Sequence, residues 1–268
     1  MRSSRGLLLT LVLSGALSVT AACGDKSTAG DAAPAGSAAA TSAAASPQAD
    51  PRTELINAFN KLNGVSMAYS TSTESGAVAS TKLTGSSDPA TKATSGTMVV
   101  TAPGQTINAQ LIVLGTDVYM KMSVPLPGVD PKKWMYFDGS KTSLAKLGLG
   151  DPDDPASVKG FSEAIVTAER TGTGAYKGTL DMTKRKVPES GAALVQQMGD
   201  AAKSVPFEAT TNADGYVTSL TIMMPAAGQI PATTAKSTFS DFGKPVTITK
   251  PAAAEVQAAP AALLAQLG

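Results

Sequence analysis

Protein chemistry relies on a short list of side chains, and this sequence withholds one and nearly withholds another. Its 268 residues contain no histidine and a single cysteine, Cys23. Histidine titrates near neutrality and is the commonest zinc ligand, so the usual general base and the usual metal sites are missing. One cysteine forms no disulfide within the chain, and beyond Cys23 there is no thiolate nucleophile and no cysteine-based metal site. Serine with lysine or glutamate, and paired carboxylates, are the catalytic combinations left. No spacing singles one out, so the expectation is a protein with no catalytic residues, no metal and no cofactor. Nucleic acid is excluded as a partner as well. The formal net charge is +1, with no concentrated basic patch.

Cys23 has a context of its own. Arg2 and Arg5 precede an apolar run from Gly6 to Val19, shorter than the ~20 residues a transmembrane helix needs. Thr20-Ala21-Ala22 then place small residues directly before the thiol. This resembles the lipobox of bacterial lipoproteins, with Thr20 standing where Leu is commonest. The resemblance implies that a signal peptide, 1–22, is removed and that Cys23 becomes a diacylglycerated N-terminus. It implies a protein on the extracytoplasmic side of the cell membrane, held there by its acyl anchor. The alternative is an ordinary cleaved signal with an incidental cysteine. Each buried CH₂ of an anchor contributes ~0.8 kcal/mol, so two or three acyl chains hold for long times. Gly24 to Asp50 is mostly Ala, Ser, Gly and Thr with Pro34 and Pro47, and has no Leu, Ile, Val or aromatic residue. Such a segment cannot offset its own ordering entropy. Residues 23–50 are therefore expected to form a flexible tether with a reach of roughly 30 Å, and residues 51–268 a single domain.

The elements of that domain follow from periodicity. Asp50-Pro51 is an N-cap followed by a proline suited to the first helical turn. Leu55, Ile56, Phe59 and Leu62 recur at helical spacing until Gly64. From Val65 the period becomes two, with Val65, Met67 and Tyr69 alternating with polar neighbours. Strands are expected at 97–102, 105–114, 117–123 and 133–137, joined by turns at Pro103-Gly104 and Gly115-Thr116; Asp138-Gly139 closes the last. Asp154-Pro155 opens a second helix with Val158, Phe161, Ile165 and Ala168 as its stripe. A strand with Tyr176, Leu180 and Met182 follows, then a third helix over 188–203 with Leu194, Val195, Met198 and Ala202. Asp214-Gly215 joins two strands, one with Val205, Phe207 and Ala209, the other with Tyr216, Leu220, Ile222 and Met224. Further strands are expected near Phe239 and at 246–249, and a tail helix with Leu263, Leu264 and Leu267. The sum is an α+β domain: a wide antiparallel sheet of roughly ten strands, which tends to curl. One face is covered by only a few short helices, and a hollow between sheet and helices is the geometric consequence.

Strand parity selects what would line that hollow. Leu220, Ile222 and Met224 share one side of their strand; Leu111 and Val113, and Val118, Met120 and Met122, share the corresponding side of theirs. Phe161, Ile165, Leu194 and Met198 are the helical residues expected to cover them. The nine methionines beyond Met1, with Met98, Met120, Met122, Met182 and Met224 on strand segments and Met198 on a helix, suit an irregular apolar surface, although the same residues also serve as core fillers. Lys184-Arg185-Lys186 and Lys132-Lys133-Trp134 could meet lipid headgroups, but short basic runs are more often solvated turns. Asp151-Pro152-Asp153-Asp154 lacks the ligand spacing of a calcium loop, and acidity at a helix start explains it better.

Several stretches together resemble the LolA-like lipoproteins of the LppX/LprG type. They are the helix Leu55–Leu62 leading into Val65-Ser66-Met67, the strand Lys133-Trp134-Met135, the Asp214-Gly215 hairpin, and the ending Phe239-Ser240-Asp241-Phe242-Gly243-Lys244-Pro245-Val246-Thr247-Ile248. The resemblance spans about Thr53 to Pro251. It implies a half-open barrel, a strongly curved sheet with helices covering its concave face. It also implies a carrier that binds an acylated lipid or glycolipid and takes it across the envelope, with a lipid exporter as partner. Two other functions compete: a structural or sensory lipoprotein with a filled core that acts through a protein partner, and a hydrolase using Ser or carboxylates.

Overall fold

The computed structural model describes residues 49–76, 79–142, 158–185, 189–228 and 231–267. The signal peptide, Cys23 and the tether up to residue 48 lie outside them. So do Asp151-Pro152-Asp153-Asp154, Pro155, Lys186 and Pro188. Residues Pro47–Gly268 form one compact unit.

The first helix, α1 (Pro51–Leu62), forms for the reasons its sequence suggests. The Asp50 carboxylate accepts the Thr53 N–H at 3.0 Å, and Pro51 fills the first turn where no N–H is needed. Leu55, Ala58, Phe59 and Leu62 are its buried face. Six strands follow: β1 (Met67–Ser75), β2 (Ala79–Asp88), β3 (Ala93–Ala102), β4 (Gln105–Leu114), β5 (Asp117–Met122) and β6 (Trp134–Asp138). Then come α2 (Val158–Ala164), β7 (Ile165–Gly172), β8 (Ala175–Leu180) and α3 (Glu189–Met198). The chain finishes with β9 (Val205–Thr211), β10 (Val217–Met224), β11 (Thr233–Ser240), β12 (Val256–Ala258) and α4 (Ala261–Leu267). At the β3–β4 turn Gly104 takes a φ of 74°, a conformation that costs glycine nothing and allows a two-residue hairpin.

The strands of the described residues all belong to one 12-stranded sheet in the order β12-β6-β5-β4-β3-β2-β1-β11-β10-β9-β8-β7. The first half of the chain builds one wing outward from β1. The second half returns through β7 to β11 and builds the other. The β1–β11 ladder, from Ala68↔Ser240 to Ser75↔Thr233, joins the two wings. No ladder joins β7 to β12, so the sheet is open. The free edge at β7 is guarded: its register shifts at both ends, and Arg52 donates from Nε to the Ile165 carbonyl at 2.9 Å. Bulges and a capped carbonyl discourage pairing with another chain. Glu54 ties α1 to the same wing by bonding Arg170 of β7 and accepting the Tyr176 hydroxyl at 3.0 Å. The Arg170 hydrogen bond, with help from Tyr176, holds the Glu54 carboxyl below its ordinary pKa.

Four expectations need correction. The sheet has twelve strands and is mixed, because β12 pairs with β6 in parallel. Ile165 and Ala168 are not helical; α2 ends at Ala164 and both lie on β7. The β-branched run Ile165-Val166-Thr167 favours a strand and outweighs the helical spacing from Phe161. No strand forms at 246–249, where the chain runs without helix or strand. β2 was not anticipated at all. Its sequence, Ala-Ser-Thr-Lys-Leu-Thr-Gly-Ser-Ser-Asp, has one large apolar residue and hence no readable alternation.

Candidate functional site

Residues directly opposite one another in a ladder project to the same side, so the registers define one face across ten strands. From β6 inward it carries Met135 and Phe137, then Val118, Met120 and Met122 of β5, and Leu111 and Val113 of β4. Gly96 and Met98 of β3, Leu83 and Gly85 of β2, and Tyr69 and Thr71 of β1 continue it. Ser237 of β11, Leu220 and Ile222 of β10, Phe207 and Ala209 of β9, and Tyr176 and Leu180 of β8 complete it to β7. The opposite face over the central strands is Ser70, Ser72, Lys82, Thr84, Thr97, Lys236 and Thr238. One side is built for water, the other for apolar contact.

The apolar side is packed at its ends and half-open between them. At the β7–β11 end, Leu55, Phe59 and Leu62 of α1 join Phe207, Leu220, Ile222 and Phe239 in one buried cluster. Phe161 of α2 stacks on Phe59 with ring centroids 5.8 Å apart, and Arg185 lies over the Phe161 ring, 3.8 Å from its centroid. Leu194, Val195 and Met198 of α3 pack on the same cluster. At the β6 end a smaller cluster holds Val113, Val118, Met135, Phe137 and Ala259, with Leu263 of α4 against it. The middle belongs to neither cluster: Leu83, Val100 and Ile107 are half-buried, and Met98 is 36% exposed.

Tyr69 marks the boundary. Its hydroxyl donates to the Ser95 carbonyl at 3.2 Å, so its ring crosses β2 and β3. Gly85 and Gly96 make this crossing fit, because a Cβ there would stand 2.6 Å and 3.1 Å from the Tyr69 oxygen. Burial pushes the Tyr69 phenol up to about 12. Beyond it the floor is small and hydroxylated, with Thr71 and Ser237 hydrogen-bonded at 2.9 Å.

The twelve residues expected at the hollow, eight by strand parity and four from helices, are thus divided, not gathered. Leu111, Val113, Val118, Met120 and Met122 lie at the β6 end, and Leu111, Met120 and Met122 are only partly buried. Phe161, Ile165, Leu194, Met198, Leu220, Ile222 and Met224 lie at the β7–β11 end. There Ile165 and Leu220 are 1% and 2% exposed, packed as core residues. Met98 was among the strand-borne methionines expected at the hollow, but the rest of the half-open middle, Leu83 and Tyr69 with its glycines, escaped the sequence. Its signal was two glycines opposed across β2 and β3, readable only once the register is known.

No family model matches the chain, and no curated protein matches it. Among solved structures it is similar to the crystal structure of LolA superfamily protein NE2245 from Nitrosomonas europaea, with 12% identity and a TM-score of 0.32. The match covers 76% of this chain and 99% of that one. A likeness this loose transfers no property from one chain to the other.

Proposed function

We propose that the protein is a non-catalytic lipid carrier of the LolA-like LppX/LprG type, held outside the cell membrane by acylated Cys23. What carries this reading is the asymmetry of the sheet: one polar face, and one apolar face left half-open around Met98. A face that simply completed a core would be covered along its whole length, since interiors are close-packed. In this account the sheet curls so that the apolar face is its hollow side. Acyl chains of a lipid or glycolipid lie along Leu83, Met98, Leu111, Met120 and Met122, and pass to a lipid exporter without crossing water. Each CH₂ so buried contributes ~0.8 kcal/mol. The packed cluster around Leu220 favours the filled-core alternative for that end alone.

Two results follow. Cys23→Ala should release the protein from membranes while the domain melts unchanged, because the apolar contacts described here all begin at α1; the readout is membrane fractionation with thermal melting. The function itself is tested by transfer of a fluorescent acyl lipid between donor and acceptor vesicles. Catalytic amounts of the protein should accelerate it, and a rate equal to the protein-free rate would refute the carrier.

A further inference from the structure

A groove of about 790 Å³ opens between α1 and the turns that join β7 to β8 and β9 to β10. That volume is in the range of roughly 300–1,000 Å³ usual for ligand sites. It is polar. Glu54, Asn57 and Lys61 enter from one side of α1, at a spacing that places them on one helical face. The two turns are held tightly together on the sheet side. The Thr211 N–H donates to the Gly174 carbonyl at 2.7 Å, and a Cβ on Gly174 would stand 2.5 Å from the Thr211 carbonyl oxygen.

The charges of the lining leave a remainder. Glu54 is bonded to Arg170 and to the Tyr176 hydroxyl, so that carboxylate and that guanidinium offset one another. Lys61 has no carboxylate partner among the described residues. Its ammonium donates to the Asp214 backbone carbonyl at 2.8 Å and lies 5.6 Å from the centre of the Tyr216 ring. The Asp214 carboxylate is not part of the lining. With Lys61 and Arg170 positive and Glu54 negative, the lining carries one net positive charge. Around it stand groups that hydroxyls satisfy. The Asn57 amide makes no hydrogen bond to the described residues. Asn212 uses its Oδ1 to accept the Tyr216 N–H at 2.9 Å, which leaves its amide protons to donate.

We propose that this groove binds a sugar acid, a hydroxylated monocarboxylate, with its carboxylate on Lys61 and its hydroxyls on Asn57 and Asn212. A single uncompensated charge matches a carboxylate better than a phosphate dianion. Amides that both donate and accept match hydroxyls, which do the same. The site is independent of the apolar face and of the lipid reading.

The test is calorimetric titration of the full chain in detergent with glucuronate, glucose, acetate and inorganic phosphate. Glucuronate should saturate one site, and glucose and acetate should each bind about ten-fold more weakly or less, as loss of charge-assisted or neutral hydrogen bonds implies. Lys61→Ala and Asn57→Ala should each weaken glucuronate by about ten-fold with an unchanged melting temperature, both positions being exposed. Met98→Asp, on the apolar face, should leave glucuronate binding intact. The proposal fails if glucuronate does not saturate, if neither groove variant weakens it, or if acetate or phosphate binds as tightly as glucuronate.

Discussion

Replacing Phe59 by alanine should cost the folded protein about 3–5 kcal/mol, read by denaturant unfolding of the compact unit. Phe59 is 1% exposed and stacks on Phe161 at an interplanar angle of 15°. It shares its cluster with Leu55, Leu62, Phe207 and Leu220, so the truncated side chain leaves a cavity lined on all sides. A helix of 12 residues such as α1 is marginal in isolation and depends on this packing. Since domains are stable by only ~5–15 kcal/mol, the loss is a large share of the whole. A cost below about 1 kcal/mol would mean that this end is hollow rather than filled. The hydrocarbon site would then belong beneath α1 and not around Met98.

The second large effect concerns the half-open stretch. Met98→Asp should leave the protein folded, because 36% exposure lets the new carboxylate keep water. The strand cost is at most ~1 kcal/mol. Bound acyl chains would have to strip that water, at several kcal/mol for an ion taken into apolar surroundings. Lipid affinity should therefore fall by about a hundred-fold or more, measured by lipid extracted per mole of protein. Thr97→Asp is the control. Thr97 is the preceding residue of β3 and faces the polar side, opposite Thr84 and Gln110, so its lipid content should match the parent.

These two residues also show what was legible in the sequence. Phe59 sits in a helix announced by Asp50-Pro51, by Leu55 and Leu62 at helical spacing, and by Gly64, all local signals. β4 and β5 were readable for the same reason: Pro103-Gly104 and Gly115 punctuate them and their apolar residues alternate. β2 was not, because its place is secured by ladders to β1 and β3 and by Tyr69 lying over Gly85, none of which is local. β12 is three residues long and pairs with a strand more than a hundred residues earlier. The segment at 246–249 alternates as a strand does, yet it takes no strand structure, and the neighbouring Lys250 reaches Asp117 and the Tyr119 ring. For the site, parity shows which side a residue takes. Whether that side is packed or open depends on which helices arrive above it. Ile165 and Leu220 became core for that reason, while Met98 did not.

The most direct test of the central claim is to export residues 47–268 in a native-type envelope, purify them without detergent, and identify co-purified molecules by mass spectrometry. The account predicts an acylated lipid at near-equal molar amount, absent from Met98→Asp and present in Thr97→Asp. A parent protein that is folded, monodisperse and free of lipid would contradict it.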